Sequence, residues 1–465
     1  MEWFRFRWAL ACLLPALALI GCSASRTTAS ASMPAPTPMG PAVAPAPRII
    51  RAAPPAPVFP VMLGIDVLES EGFAPLRGKR VGLLTHPAGV NRRGVSTIDV
   101  LRHAPGVQLA ALFGAENGLY DEYRSGVNYP DHIDPRTGLV VHSLYTGLKV
   151  NGHMNRPTRA QLKGIDVFVV DLQDIGTRSY TFISAMKTAM EGCFENGVEF
   201  VVLDRPNPLG GLKVDGPLLD PQWISYVGEF RVPYVHGLTM GELARMAKGA
   251  PGVLDVPETV RQAGRLVVVP MRGWRRGMRW PETGLAWVPT TPYIPNFQAV
   301  EGYPMTGLGS AAPSPFSNGV GTQHPFRGLF CKGIRLDLLE RDLNGLQLPG
   351  IAVRRISVPD PKTGQPALGL YIEITDWDAW NPVELNFYLM KLACKYDPRN
   401  PFAMATRTAA GRSELSLFRK LTGSTAFFND LVAHGARVDV DAYIRDWQDK
   451  DRVYQEQSRR YWLYY

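Results

Sequence analysis

Residues 165–171 read IDVFVVD, and residues 198–204 read VEFVVLD. Each run is dominated by β-branched and aromatic residues, has no polar face, and is too short for a helix. Such runs read as strands buried on both sides, the pattern of a parallel sheet. Working outward, residues 80–85 (RVGLLT) and 107–113 (VQLAALF) share that character. Residues 96–103 and 180–195 carry helical spacing, and Thr239-Met-Gly-Glu242 has the spacing of a capping box that opens a helix. Strands alternating with helices predict an α/β fold built on an open, mostly parallel sheet. In such sheets ligands bind beyond the carboxyl ends of the strands.

The second half opens near residues 265–270 (RLVVVP). From about 272 to 333 glycine and proline are frequent and periodic segments are few, which predicts mostly loop. Strand patterns resume at 351–358 and 368–374, and helical ones at 383–395 and 441–462. This predicts a first domain over residues 61–260 and a smaller α/β domain over 261–465, with a boundary near 255–265. Tyr461, Trp462, Tyr464 and Tyr465 are expected to pack against the body.

The N-terminus carries Arg5 and Arg7, then an apolar run from Ala9 to Ile20. The run is shorter than the roughly 20 residues that span a bilayer, so it reads as the core of a signal peptide. It ends Leu19-Ile20-Gly21-Cys22, which resembles a bacterial lipobox. Residues 1–22 are thus expected to be a lipoprotein signal, with Cys22 the acylated residue. Ser23 after it favours an outer-membrane lipoprotein facing the periplasm. Residues 23–60 are rich in Ala, Pro, Ser and Thr, a composition that stays extended and builds no core.

The net charge is +8. Five arginines against one glutamate in residues 1–60 account for half of it, and no basic block or nucleic-acid motif appears. Cys193, Cys331 and Cys394 are widely spaced in apolar contexts, which suggests buried free thiols rather than disulfides or a zinc site. The eight histidines are scattered. Phosphate-loop, HExxH and GxSxG signatures are absent, so neither a metal nor a cofactor is expected.

Four polar clusters follow the strands. Glu116-Asn117-Gly118 stands just beyond residues 107–113, where glycines on either side expose a lone carboxylate. Asp171, Gln173, Asp174, Arg178 and Tyr180 leave one buried strand within ten residues. So dense a polar set either forms a satisfied network or faces a ligand. Asp204-Arg205-Pro206-Asn207 stands at the next strand exit, and His236 precedes the capped helix.

These clusters, in this order, resemble the NamZ family of exo-β-N-acetylmuramidases. The resemblance runs from about residue 64 to 465. It rests on residues 171–180 (DLQDIGTRSY), 204–211 (DRPNPLGG), 215–218 (DGPL), 236–244 (HGLTMGELA), 273–278 (GWRRGM) and 283–287 (TGLAW). It implies a Rossmann-like N-terminal domain joined to a smaller α/β domain, an active site in the cleft between them, and a peptidoglycan-derived sugar as substrate. It makes Glu116 the catalytic acid, with Asp171, Asp174 and Gln173 holding or assisting the sugar. Arg178 or Arg205 would take the lactyl carboxylate. Asn117, Tyr180, Asp204, Asn207 and His236 would line the pocket. The family pattern has a histidine at Asn117, a glutamate at Asn318 and an arginine at Val320. A glycan-binding lipoprotein using the same cleft is the alternative reading.

Overall fold

The structure is a computed structural model that describes residues 60–147, 149–150, 153–311, 313–360 and 363–465. The expected signal peptide, Cys22 and all of the expected tether except Pro60 lie outside the described residues. Residues 58–465 form one compact unit.

The chain enters through helix α1 (Gly64–Ser70), strand β1 (Arg80–Thr85), helix α2 (Thr97–Arg102) and strand β2 (Gln108–Gly114). Strands β3 (His132–Ile133) and β4 (Val140–Ser143) follow, then a small antiparallel pair, β5 (Lys149–Val150) and β6 (His153–Met154). Next come β7 (Val167–Asp171), α3 (Phe182–Glu195), β8 (Glu199–Leu203), α4 (Met240–Gly249), α5 (Glu258–Ala263) and β9 (Leu266–Val269). Seven of these strands form one sheet, in the order β3-β4-β2-β1-β7-β8-β9. Every pairing in it is parallel except that of β3 with β4.

Strand alternation explains why the two diagnostic runs are apolar throughout. Val167, Val169, Val201 and Leu203 point into a core shared with Ile65 of α1 and Ile98 of α2. Phe168, Val170, Phe200 and Val202 point the other way, onto Ile183, Met186 and Met190 of α3. Both faces are covered, so the strand interiors are apolar and charged residues stand only at the strand ends, where Asp171 and Glu199 are paired with Arg205 and Lys79. The Thr239–Glu242 capping box forms as expected at the start of α4. The run at 265–270, read as the opening of the second half, supplies β9 at the edge of the first sheet.

The remainder folds around a smaller antiparallel sheet. It comprises β10 (Phe316–Ser317), β11 (Gly328–Cys331), β12 (Ile351–Pro359) and β13 (Pro366–Ile374), in the order β10-β11-β13-β12. Helices α6 (Phe297–Thr306), α7 (Leu336–Gly345), α8 (Glu384–Tyr396), α9 (Pro401–Ala405), α10 (Ala409–Thr422), α11 (Thr425–His434) and α12 (Val440–Ser458) surround it. Residues 272–333 are thus more ordered than expected. Helix α6 escaped detection because it contains Gly302 and Pro304, residues that propensity rules against. Gly302 is needed there: a Cβ would lie 2.5 Å from the Phe326 backbone.

Cys193 and Cys394 are buried free thiols, and Cys331 is half-buried. The terminal aromatics pack as expected. The Tyr464 hydroxyl donates to Asp204 Oδ2 (2.6 Å), and Trp462 lies under the Arg276 guanidinium. No described helix is long and apolar enough to cross a membrane.

Three buried carboxyl groups, Asp215, Glu384 and Asp451, gather where the first half meets α8 and α12. Asp215 accepts from the Val383 amide (2.7 Å) and the Trp447 indole (3.1 Å). Burial raises Asp215 to about 6, Glu384 to about 7 and Asp451 to about 9; Asp215 adds to the last two. Each keeps its proton in the folded chain at a pH where the unfolded chain, titrating near pH 4, has lost it. The stability they contribute is therefore full below about pH 4 and is lost as pH rises through 6 to 9. We expect the melting temperature to fall between pH 5 and pH 9, and Asp451→Asn to flatten the fall above pH 7. A scanning-calorimetry series would refute this if both proteins showed the same slope.

Candidate active site

The sheet grows outward from β1 in both directions, to β2 on one side and β7 on the other, so the switch point lies at the carboxyl ends of these three strands. Glu116 follows β2 at this end and is half-buried. Its carboxylate accepts hydrogen bonds from the Gly126 amide (2.8 Å) and the Thr181 hydroxyl (2.9 Å). The phenols of Tyr145, Tyr226 and Tyr303, from three separate segments, face it as well. Burial foremost, with the Glu116 charge adding to it, pushes all three phenols up and keeps them protonated.

Asp174 follows β7. Gly176, with φ +81°, turns the chain so that its amide donates to Asp174 Oδ2 (2.8 Å). Asp174 Oδ1 is buried without a protein partner. His236 Nε2 lies 3.2 Å from Asp174 Oδ2, too misaligned for a hydrogen bond, so the contact is electrostatic only. The Leu238 amide donates to His236 Nδ1 (3.2 Å), which leaves Nε2 as the N–H end facing the carboxylate.

Tyr303, on α6, lies in the field of both carboxylates. Its hydroxyl stands 3.3 Å from Ser179 Oγ, and both Glu116 and Asp174 raise it. Tyr180 donates to Thr290 Oγ1 (2.6 Å). The Gln173 amide N–H donates to His86 Nε2 (2.9 Å). His86 is neutral, lowered to about 3 by burial and then by the Arg205 charge. The Gln173 side chain donates to the Asp174 and Pro206 carbonyls (2.8 and 2.9 Å), and its Oε1 is unpaired. A small cavity beside it is lined by Val90, Asn91, Gln173, Arg205, Trp280 and Leu285.

Other expected site residues have their groups committed elsewhere. Asp171 is fully buried, and Arg205 grips it through Nε (2.6 Å) and Nη2 (2.8 Å), with Thr97 as a third donor. Arg205 Nη2 also donates to the Val90 carbonyl (2.7 Å), so Nε and Nη2 are engaged within the protein. Arg178 is turned away from Glu116 altogether. Its Nη1 donates to Pro217 and Val232 carbonyls, and its Nη2 to Leu421 and Thr422, which locks α10 to the first half. No donor group of Arg178 is open to a lactyl carboxylate, because the guanidinium is fully buried. Asp204, raised to about 6 by burial, accepts from the Gly241 amide (2.7 Å), Thr239 and Tyr464. A Cβ at Gly241 would lie 2.7 Å from Asp204 Cγ, so that approach needs glycine. Asn207 donates to the Leu238 carbonyl (3.0 Å) and braces its own turn through Leu209. Asn117, with φ +71°, directs its amide to the Tyr123 carbonyl (2.9 Å) and Ser125 (3.2 Å), holding the loop that delivers Gly126.

The family model for the exo-β-N-acetylmuramidase NamZ N-terminal region matches residues 81–298, and that for its C-terminal region matches residues 301–464. The chain belongs to the NamZ family. A curated family relative, the peptidoglycan β-N-acetylmuramidase NamZ of Bacillus subtilis (strain 168), is 34% identical over 407 residues, 87% of this chain and 91% of that protein. Two crystal structures of DUF1343-family proteins from Bacteroides fragilis share the fold. One has a TM-score of 0.75 at 36% identity, covering 88% of this chain and 100% of that one. The other has a TM-score of 0.61 at 25% identity, covering 87% and 99%. The candidate site draws on both matched regions, with Glu116, Asp174 and Thr181 in the first and Tyr303 in the second.

The sequence reading missed Thr181, Tyr145, Tyr226, Tyr303 and His86. Thr181 stands one residue past the quoted 171–180 motif. His86 directly follows β1, a strand-exit position like the others. The tyrosines carry no local signal.

Proposed function

We propose that this chain is an exo-acting β-N-acetylmuramidase that releases N-acetylmuramic acid from the non-reducing end of peptidoglycan fragments. Family membership over both matched regions carries the reading, and a half-buried carboxylate at the sheet's switch point supports it. Hydrolysis adds water across the C1–O bond: hydroxide goes to the anomeric carbon and a proton to the leaving oxygen. Glu116 is the reacting carboxylate. Asp174, with Oδ1 unpaired and His236 behind it, is the second acidic group. Gln173 and Tyr180 shape the pocket. The non-catalytic alternative is not favoured, since the curated relative is named as a hydrolase.

The lipobox-like run at Leu19 to Cys22 supports export and a lipid anchor on Cys22, at an outer membrane facing the periplasm. The Pro-rich segment then holds the folded body near cell-wall fragments, a placement suited to wall recycling. The full chain should release chromophore from a chromogenic β-N-acetylmuraminide. It should also stay with the membrane fraction, whereas Cys22→Ser is recovered in solution. A folded chain inert on that substrate would sink the enzymatic reading, and an unchanged distribution of Cys22→Ser would sink the anchor.

A further inference from the structure

Thr181 immediately precedes α3, where a threonine ordinarily caps its own helix by accepting from an amide two or three residues on. It makes no such bond. Its backbone is already helical (φ −71°, ψ −5°), a conformation from which the hydroxyl does not cap. The hydroxyl goes instead to Glu116 Oε2 at 2.9 Å. The Gly126 amide, which has only a proton to offer, holds the other oxygen, Oε1, at 2.8 Å. The carboxylate thereby stands against the first turn of a 14-residue helix, where negative charge is favoured.

We propose that Thr181 is a positioning residue for Glu116: its hydroxyl, diverted from capping α3, fixes the carboxylate's orientation. This rests on Glu116 being the reacting carboxylate. The titratable groups facing Glu116 from the other elements are Tyr145 beyond β4, Tyr226 in the loop after Trp223, and Tyr303 on α6. All three are raised phenols, so none takes a proton from Glu116 or gives one up near neutral pH. Three donors therefore hold Glu116, the Gly126 amide, the Thr181 hydroxyl and the Tyr145 phenol, and of these only Thr181 stands at the start of α3.

The test measures kcat and KM for the full chain, Thr181→Val and Thr181→Ser, with Glu116→Gln as reference. Valine keeps the shape and removes the donor; serine keeps the donor. In Thr181→Val, kcat is expected to drop about tenfold with KM little changed, since one hydrogen bond that orients the carboxylate is lost. Thr181→Ser should retain the wild-type kcat. If Thr181→Val does not fold, Thr181→Ala serves in its place. Equal kcat for wild type and Thr181→Val (or Thr181→Ala), or no rescue by Thr181→Ser, with Glu116→Gln inactive, overturns this inference alone. An active Glu116→Gln, or an inert wild type, overturns the assignment of Glu116 and this inference with it.

Discussion

Glu116→Gln is expected to lower sugar release by about 100- to 10,000-fold, the usual worth of a group that transfers or holds charge at the reacting centre. The substitution is nearly isosteric: its amide oxygen can still accept from the Gly126 amide, and the Thr181 hydroxyl can turn to accept from the new NH2, so the fold should survive. An unchanged melting temperature alongside lost turnover would separate chemistry from stability. Turnover within threefold of wild type would remove Glu116 from the reaction and move attention to Asp174, the other acidic group at the switch point.

Arg205→Met should act in the opposite way, on stability first. Arg205 neutralises a fully buried carboxylate, Asp171, through two hydrogen bonds. Removing one partner of such a pair strands the other charge in a low-dielectric interior and costs about 3–5 kcal/mol. The same change should not raise KM selectively, because Nε and Nη2 of the guanidinium are already engaged by Asp171 and the Val90 carbonyl. Urea unfolding together with steady-state kinetics decides the matter. A stable variant with a raised KM would show that Arg205 holds the substrate's carboxylate after all.

These two sites mark the division between what local sequence conveys and what it does not. The buried strands were legible because both faces of a parallel sheet demand apolar residues, and 167–171 and 199–203 leave no other reading. The helix start at Thr239 was legible because a capping box is a four-residue signal. The cluster at 171–180 was legible as polar and important, but its division of labour was not. Asp174 and Tyr180 turn toward the switch point, whereas Asp171 points down into an ion pair and Arg178 reaches acceptors as far as 244 residues away. Which way a side chain leaves a strand end depends on those distant partners. Asp204 teaches the same lesson: one of its donors, Tyr464, is 260 residues on. Tyr303 was hidden because its helix contains Pro304 and Gly302, the latter required by the close approach of the Phe326 backbone. Of the three helices in residues 401–434, α9 has 5 residues, too short a run to show periodicity.

The central claim is exo-cleavage at a terminal N-acetylmuramic acid with Glu116 at the reacting bond. It is tested most directly by giving the full chain two defined glycan oligomers of equal length. One ends in N-acetylmuramic acid at the non-reducing end, the other in N-acetylglucosamine, and products are identified by mass spectrometry. The account predicts free N-acetylmuramic acid from the first, none from the second, and neither with Glu116→Gln. Release of internal fragments, equal cleavage of both oligomers, or no cleavage of either by the folded protein would contradict it.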